Sequence, residues 1–268
     1  MSEVITFTSG KGGVGKTTTT ANVGVGLSLA EKKVLLIDTD IGLRNLDVVM
    51  GLENRIVYNL VDVLSGRCRV RQAIVRDRRY PNLSVIPSAC IREKQPVSIA
   101  AMRHLLDDLR DSYDYILIDS PAGIGSGFDL AVCAADRAIV VTTPQIASIH
   151  DADCVLRLLH RQKSITPYIL INMFRKDLVK SGEMLQISDI CDLLHTELLG
   201  VVVEDDNIFI SQNRGESMAG QKGVSAMCYT NICRRILGDT IPIPDFLQEH
   251  RSFFHLLWNK KTEKELKP

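Results

Sequence analysis

Lys11, Lys16 and Thr17 stand among four glycines in the run Gly10-Lys11-Gly12-Gly13-Val14-Gly15-Lys16-Thr17. Glycines at that density let a backbone curl until successive N–H groups face one anion. A lysine followed by a threonine adds a cation for β- and γ-phosphates and a hydroxyl for magnesium. The spacing GxxxxGK[ST] carries weight only between a strand and a helix. The apolar run Val4-Ile5-Thr6-Phe7 precedes it, and a helical stretch opens at Thr17, with Thr18 in its first turn. The dipole of that helix adds to the nest. Residues Gly10 to Thr18 therefore read as a cradle for a nucleoside triphosphate with Mg²⁺. Lys11 is the unusual member, because a second cation in a tight loop is unfavourable unless an anion offsets it.

Three carboxylates belong to the same chemistry. Asp38 and Asp40 close the run Leu36-Ile37-Asp38-Thr39-Asp40, and Asp119 closes Leu117-Ile118-Asp119-Ser120-Pro121. Carboxylates at the carboxyl ends of parallel strands sit where phosphates bind. Magnesium is held by one or two carboxylates plus water and substrate oxygens. Asp119, Asp38 and Thr17 are the candidate metal partners, Asp119 directly or through a water. Hydrolysis also needs a group that orients the attacking water, and Asp38 and Asp40 both qualify. Either could instead cap a strand-exit turn. Gly123, Gly125 and Gly127 make the loop after Asp119 flexible; it reads as a phosphate-sensing switch or as a plain loop. The guanine-reading pattern NKxD is absent where Asn172-Met173-Phe174-Arg175 stands, so the nucleotide is expected to be ATP.

The elements that must position these groups alternate. Strands are predicted at 3–8, 33–38, 83–86, 114–119, 137–142, 167–172 and 198–203. Helices are predicted at 17–31, 98–111, 147–163, 186–195, 205–213 and 224–237. Val34-Leu35-Leu36-Ile37 and Tyr115-Ile116-Leu117-Ile118 are nearly continuous apolar runs, the pattern of strands buried on both faces. The fold class is α/β: one domain, a mostly parallel twisted sheet flanked by helices. Pro242-Ile243-Pro244 ends that pattern, dividing a body of 1–244 from a tail of 245–268.

The chain has 268 residues, 45% of them hydrophobic, and a formal net charge of +0. Neutrality argues against a generic nucleic-acid surface. The seven cysteines, at 68, 90, 133, 154, 191, 228 and 233, include no CxxC pair. They read as free thiols in a reducing compartment. No apolar run is long enough to cross a membrane, and no secretory leader is visible. In the tail, Phe253, Phe254, Leu256, Leu257 and Trp258 fall on one broad helical face with Arg251, Lys260 and Lys261 at its ends. That is the pattern of a helix lying in an anionic membrane surface. A terminal helix docked on its own core has the same pattern.

The signature KGGxGK[ST] resembles the deviant Walker A class of P-loop ATPases. Ile41-Gly42-Leu43-Arg44-Asn45-Leu46-Asp47 and Asp119-Ser120-Pro121-Ala122-Gly123-Ile124 are similar to the MinD family within it, which positions the bacterial division site. Val57-Tyr58-Asn59-Leu60-Val61-Asp62-Val63, Leu106-Asp107-Asp108-Leu109 and Gly200-Val201-Val202 extend the similarity over most of the chain. The resemblance implies an ATP hydrolase that dimerises face to face around ATP, with Lys11 reaching the partner's phosphates. It favours Asp40 for the water, gives Lys11, Lys16 and Asp40 the catalytic roles, and sets Asn172 and Asp205 beside the adenine. It also implies reversible binding to the inner face of the cell membrane or of an organelle, a MinC-like division inhibitor and a MinE-like activator. Asp151 and Asp153 fall where those partners meet the family; by themselves they read as charges near a helix start. The P-loop alone fits a ParA-like partition ATPase that binds DNA nonspecifically equally well; a metabolic or metal-cluster enzyme of the same P-loop class is a third reading.

Overall fold

A computed structural model describes residues 2–90, 97–162, 164–244 and 247. Its first half runs β1 (Glu3–Thr8), α1 (Lys16–Leu29), β2 (Val34–Asp38), α2 (Leu46–Val49), α3 (Leu60–Leu64), α4 (Val70–Ala73), β3 (Val75–Arg76), β4 (Leu83–Ile86), α5 (Ile99–Leu109) and β5 (Tyr115–Asp119). The second half runs α6 (Ser126–Val132), β6 (Arg137–Thr142), α7 (Ile146–Arg161), β7 (Thr166–Phe174), α8 (Lys176–Lys180), α9 (Ile187–Leu194), β8 (Leu198–Val203), α10 (Asp206–Asn213) and α11 (Val224–Ile236).

The eight strands form one sheet in the order β3-β4-β2-β5-β1-β6-β7-β8. Every pairing is parallel except β3 with β4. The apolar runs occupy its centre: all five residues of β2 are buried, as are Val4 to Thr8 of β1. Alternate residues feed two layers. Ile5, Phe7 and Leu36 pack with α1 and α11, whereas Val4, Leu35 and Ile37 pack with α5 and α6. α7 connects β6 to β7 and α9 connects β7 to β8, and α7 packs on both strands it joins and on α9. Each large side chain buried this way contributes about 1.5–3 kcal/mol.

The sequence reading places every long element within two residues of each end, including β7, which continues to Phe174. It misses the one- and two-turn helices α2, α3, α4 and α8, whose hydrophobic pattern is too short to establish a period, and the two-residue edge strand β3. It also misses α6. The glycine-rich segment after Asp119 is not flexible throughout, as expected from composition. Gly125 caps α6, and Gly127 lies in its first turn beneath Pro121, where a Cβ would collide with the proline ring. Gly127 is a close-packing residue. The expected membrane face, Phe253 to Trp258, lies outside the described residues. Leu247, the one described residue past Pro244, is buried in the main core, with its N–H on the Pro244 carbonyl.

Candidate functional site

β1 lies between β5 and β6, so the loop leaving it emerges at the middle of the sheet's carboxyl end. Successive strands run off in opposite directions there, which opens a crevice. Gly13 (φ +80°) and Gly15 (φ +84°) take left-handed conformations, which side chains other than glycine resist. They turn the chain so that Gly15 caps α1. The loop is fastened from several sides. Ser9 Oγ donates to the Lys11 carbonyl at 2.9 Å, and Asn172 Nδ2 donates to the Val14 carbonyl at 2.8 Å. Gly10 lies against the backbone of Asp151 in α7, with no room for a Cβ between them.

Asp119 is the hub beneath this loop. Its carboxylate accepts from Lys16 Nζ at 3.2 Å, Thr17 Oγ1 at 2.7 Å and Thr20 Oγ1 at 3.3 Å. It is fully buried, and burial raises its pKa against the lowering effects of Lys16 and Thr17. Asp38 is its neighbour in the β2–β5 register. Burial, then the charge of Asp119, pushes Asp38 up to about 8, although it accepts the N–H groups of Asp40 (2.8 Å) and Leu46 (3.2 Å). Two carboxylates and a hydroxyl therefore converge beside the phosphate nest. They form a hard oxygen set that suits Mg²⁺ together with substrate phosphates and water. Half-buried Asp40 faces the cleft, its pKa raised by burial and partly lowered by Lys16; its carboxylate has no hydrogen-bond partner among the described residues.

The cleft has a volume of about 460 Å³, within the range that holds a small ligand. Its walls bring together Lys11, Gly12 to Thr18 and Asp40, as read from sequence, with Asn45, Val48, Met173 and Gln212, which were not. Gln212 enters because α10 carries its amide to the Thr18 hydroxyl; no spacing in the sequence marks it. Asn45 and Val48 follow from Arg44, which takes a left-handed conformation (φ +52°) and pairs with buried Asp47 at 2.8 Å. Lys11 is exposed and makes no ion pair among the described residues. Leu43, Val48, Ile124 and Ile146 are exposed at the same end of the sheet.

Two sequence-read residues are occupied by the protein itself. One N–H of the buried Asn172 amide goes to the loop carbonyl. Asp205 caps α10 through the Asn207 N–H at 2.9 Å and accepts Ser225 Oγ at 2.6 Å, which together with Asn207 lowers its pKa. On α7, Asp153 pairs with Arg157 at 2.7 Å.

A family model described as an AAA domain matches residues 2–171. The septum site-determining protein MinD of Bacillus subtilis (strain 168) is 47% identical over 246 residues, covering 91% of this chain and 92% of that protein. The structure of a MinC:MinD cell division protein complex from Aquifex aeolicus superposes with a TM-score of 0.85 at 43% identity, over 91% of this chain and 98% of that one. The structure of MinD complexed with Mg-ADP from Pyrococcus horikoshii OT3 does so with a TM-score of 0.80 at 28% identity, over 88% and 96%.

Proposed function

From the premise that this chain belongs to the MinD family of septum site-determining P-loop proteins, we propose that it is an ATP-driven membrane switch that helps to place the division septum. The observation that carries the proposal is the curled loop with Lys16, Thr17 and Asp119 bonded beneath it and Lys11 exposed, with no ion pair among the described residues. In this reading the amides of Gly12 to Thr17 and the Lys16 ammonium hold the triphosphate. A bound Mg²⁺, held by Thr17 with Asp38 and Asp119, would draw charge from the phosphate oxygens. The Mg-ADP complex of the Pyrococcus horikoshii relative supports a nucleotide with Mg²⁺ as the ligand. Asp40, unpartnered and facing the cleft, orients the water. Its raised pKa suits a group that holds a proton briefly.

Lys11 extends across to the phosphates of a second copy, so that ATP joins two chains. Exposed Leu43 and Val48 in the cleft wall, with Ile124 and Ile146 exposed in the segments after β5 and β6, support such a face. The tail then anchors the dimer. One short amphipathic segment binds a membrane weakly, whereas two on one dimer gain roughly 10²–10⁴ in avidity. Hydrolysis separates the chains and releases them. Among the described residues no helix is long and apolar enough to cross a membrane. The body is residues 1–244 and the tail 245–268, with Leu247 seated on the body. The MinC complex of the Aquifex aeolicus relative supports a MinC-type inhibitor as partner, and the α7 surface around Asp151 and Asp153 is where it and a MinE-type activator would dock.

Sedimentation with ADP and then with ATP tests the switch. A doubling of mass with ATP alone, accompanied by capture on anionic vesicles, is expected. Removing residues 251–268, which spares Leu247, should abolish capture and leave the ATP dimer intact; full capture by the shortened chain would rule out the tail.

A further inference from the structure

A second cleft, of about 1030 Å³, opens at the opposite end of the sheet. Lys33, Asn82 and Ser112 in its wall lie at the amino ends of β2, β4 and β5. Four cations, Lys33, Arg55, Arg71 and Arg76, face it with a single carboxylate, Asp108. None of the four makes an ion pair among the described residues. Arg71 and Arg76 belong to the stretch 67–80, which holds six arginines and one aspartate in a chain whose formal net charge is +0. Arg67 and Arg79 of that stretch are tied to Asp62 and Asp77; the cleft arginines are not. Uncompensated like charges around a concave, low-dielectric wall concentrate a positive field. Arginine forks match phosphate oxygens in particular.

The position of the cleft selects the source of the phosphate. Arg235 donates to the Leu199 carbonyl at the start of β8 and to the carbonyls of Ile241 and Pro242. The chain therefore heads toward residue 245 from the amino end of the sheet, the end at which the cleft opens. β2 and β8 stand five places apart in the strand order, roughly 24 Å at the usual strand spacing. A headgroup fits a concavity of this size, whereas a duplex calls for a basic stripe that follows successive phosphates. We infer that this cleft seats anionic phospholipid headgroups, as a second and purely electrostatic membrane contact. The inference rests on the tail reading above. The tail supplies apolar depth; the cleft supplies preference for anionic lipid.

The test uses the full chain with Mg-ATP, on vesicles of equimolar phosphatidylglycerol and phosphatidylcholine and on phosphatidylcholine alone. An Arg71→Gln/Arg76→Gln variant should bind the anionic vesicles about five-fold more weakly per cation removed, roughly 25-fold in all. Its binding should also depend less on salt and match the unmodified protein on phosphatidylcholine. Thermal unfolding and ATP turnover in solution should be unchanged, since neither residue touches the phosphate nest. Equal binding and an equal salt slope on anionic vesicles would overturn the inference. So would loss of duplex-DNA binding with vesicle binding intact, which would assign the cleft to nucleic acid. A Phe253→Ser/Phe254→Ser variant separates the two claims: undiminished binding by it removes the tail reading, while the arginine pair alone decides the cleft.

Discussion

Asp38 and Asp40 are two residues apart and do different physics. Asp40 is half-buried at the cleft with its oxygens uncommitted. Asp40→Ala should leave ATP binding intact and slow hydrolysis by roughly 10²–10⁴, the usual contribution of a positioned acid–base group. Single-turnover kinetics would measure this, and normal turnover would remove Asp40 from the mechanism. Burial, and then the charge of Asp119 beside it, holds the Asp38 carboxyl near a pKa of about 8 without nucleotide. The folded chain thus keeps a proton that the unfolded chain releases near the ordinary value of 3.8. The stability linked to that proton is present in full below the unfolded value and is lost as pH rises through the folded one. Urea midpoints of the nucleotide-free protein should therefore fall between about pH 4 and about pH 8. In Asp38→Asn that fall should be smaller; an equal slope would place the titration elsewhere.

At the scale of elements, the phosphate loop is set by neighbours remote in sequence. β7 delivers Asn172 to the Val14 carbonyl, α10 delivers Gln212 to Thr18, and α7 presses its backbone on Gly10. Gly10→Ala puts a methyl group into the Asp151 backbone, which cannot yield as a flexible side chain would. A loss of about 1–3 kcal/mol is expected, with weaker nucleotide binding, because the loop and α7 must part. Calorimetric titration with Mg-ATP beside a denaturant curve would measure both; wild-type values would show that α7 can shift freely. Arg79 does similar work between distant loops: its guanidinium holds Asp77 and the carbonyls of Met50 and Gly215. Those loops follow α2 and α10, which line the cleft. None of these links has a sequence signal, since each joins segments far apart in the chain.

For the whole molecule the decisive question is how many chains share one nucleotide. Lys11 is exposed with no ion pair among the described residues, and the exposed Leu43 and Val48 line the same cleft. Lys11→Ala should retain ATP binding through Lys16 yet lose the ATP-dependent doubling of mass. An intact dimer in sedimentation would confine Lys11 to its own subunit. On the proposed coupling of dimerisation to membrane capture, this variant should also fall from vesicles although its tail is untouched.

The sequence alone determined what is local and periodic. GxxxxGK[ST] between a strand and a helix dictates an anion nest, because glycine conformations and the first turn of a helix are set by adjacent residues. Apolar runs ending in Asp38 and Asp119 dictate buried strands with carboxylates at one end of a sheet. The tertiary structure decided what depends on meeting across the sheet. It set Asp38 beside Asp119, tied Asn172 to a backbone carbonyl and Asp205 to a helix cap, and brought Gln212 to the cleft. It also gathered Lys33, Arg55, Arg71 and Arg76 around one concavity. Residue type fixes what a side chain can bond to; only the packing of distant strands and helices fixes which partner reaches it first.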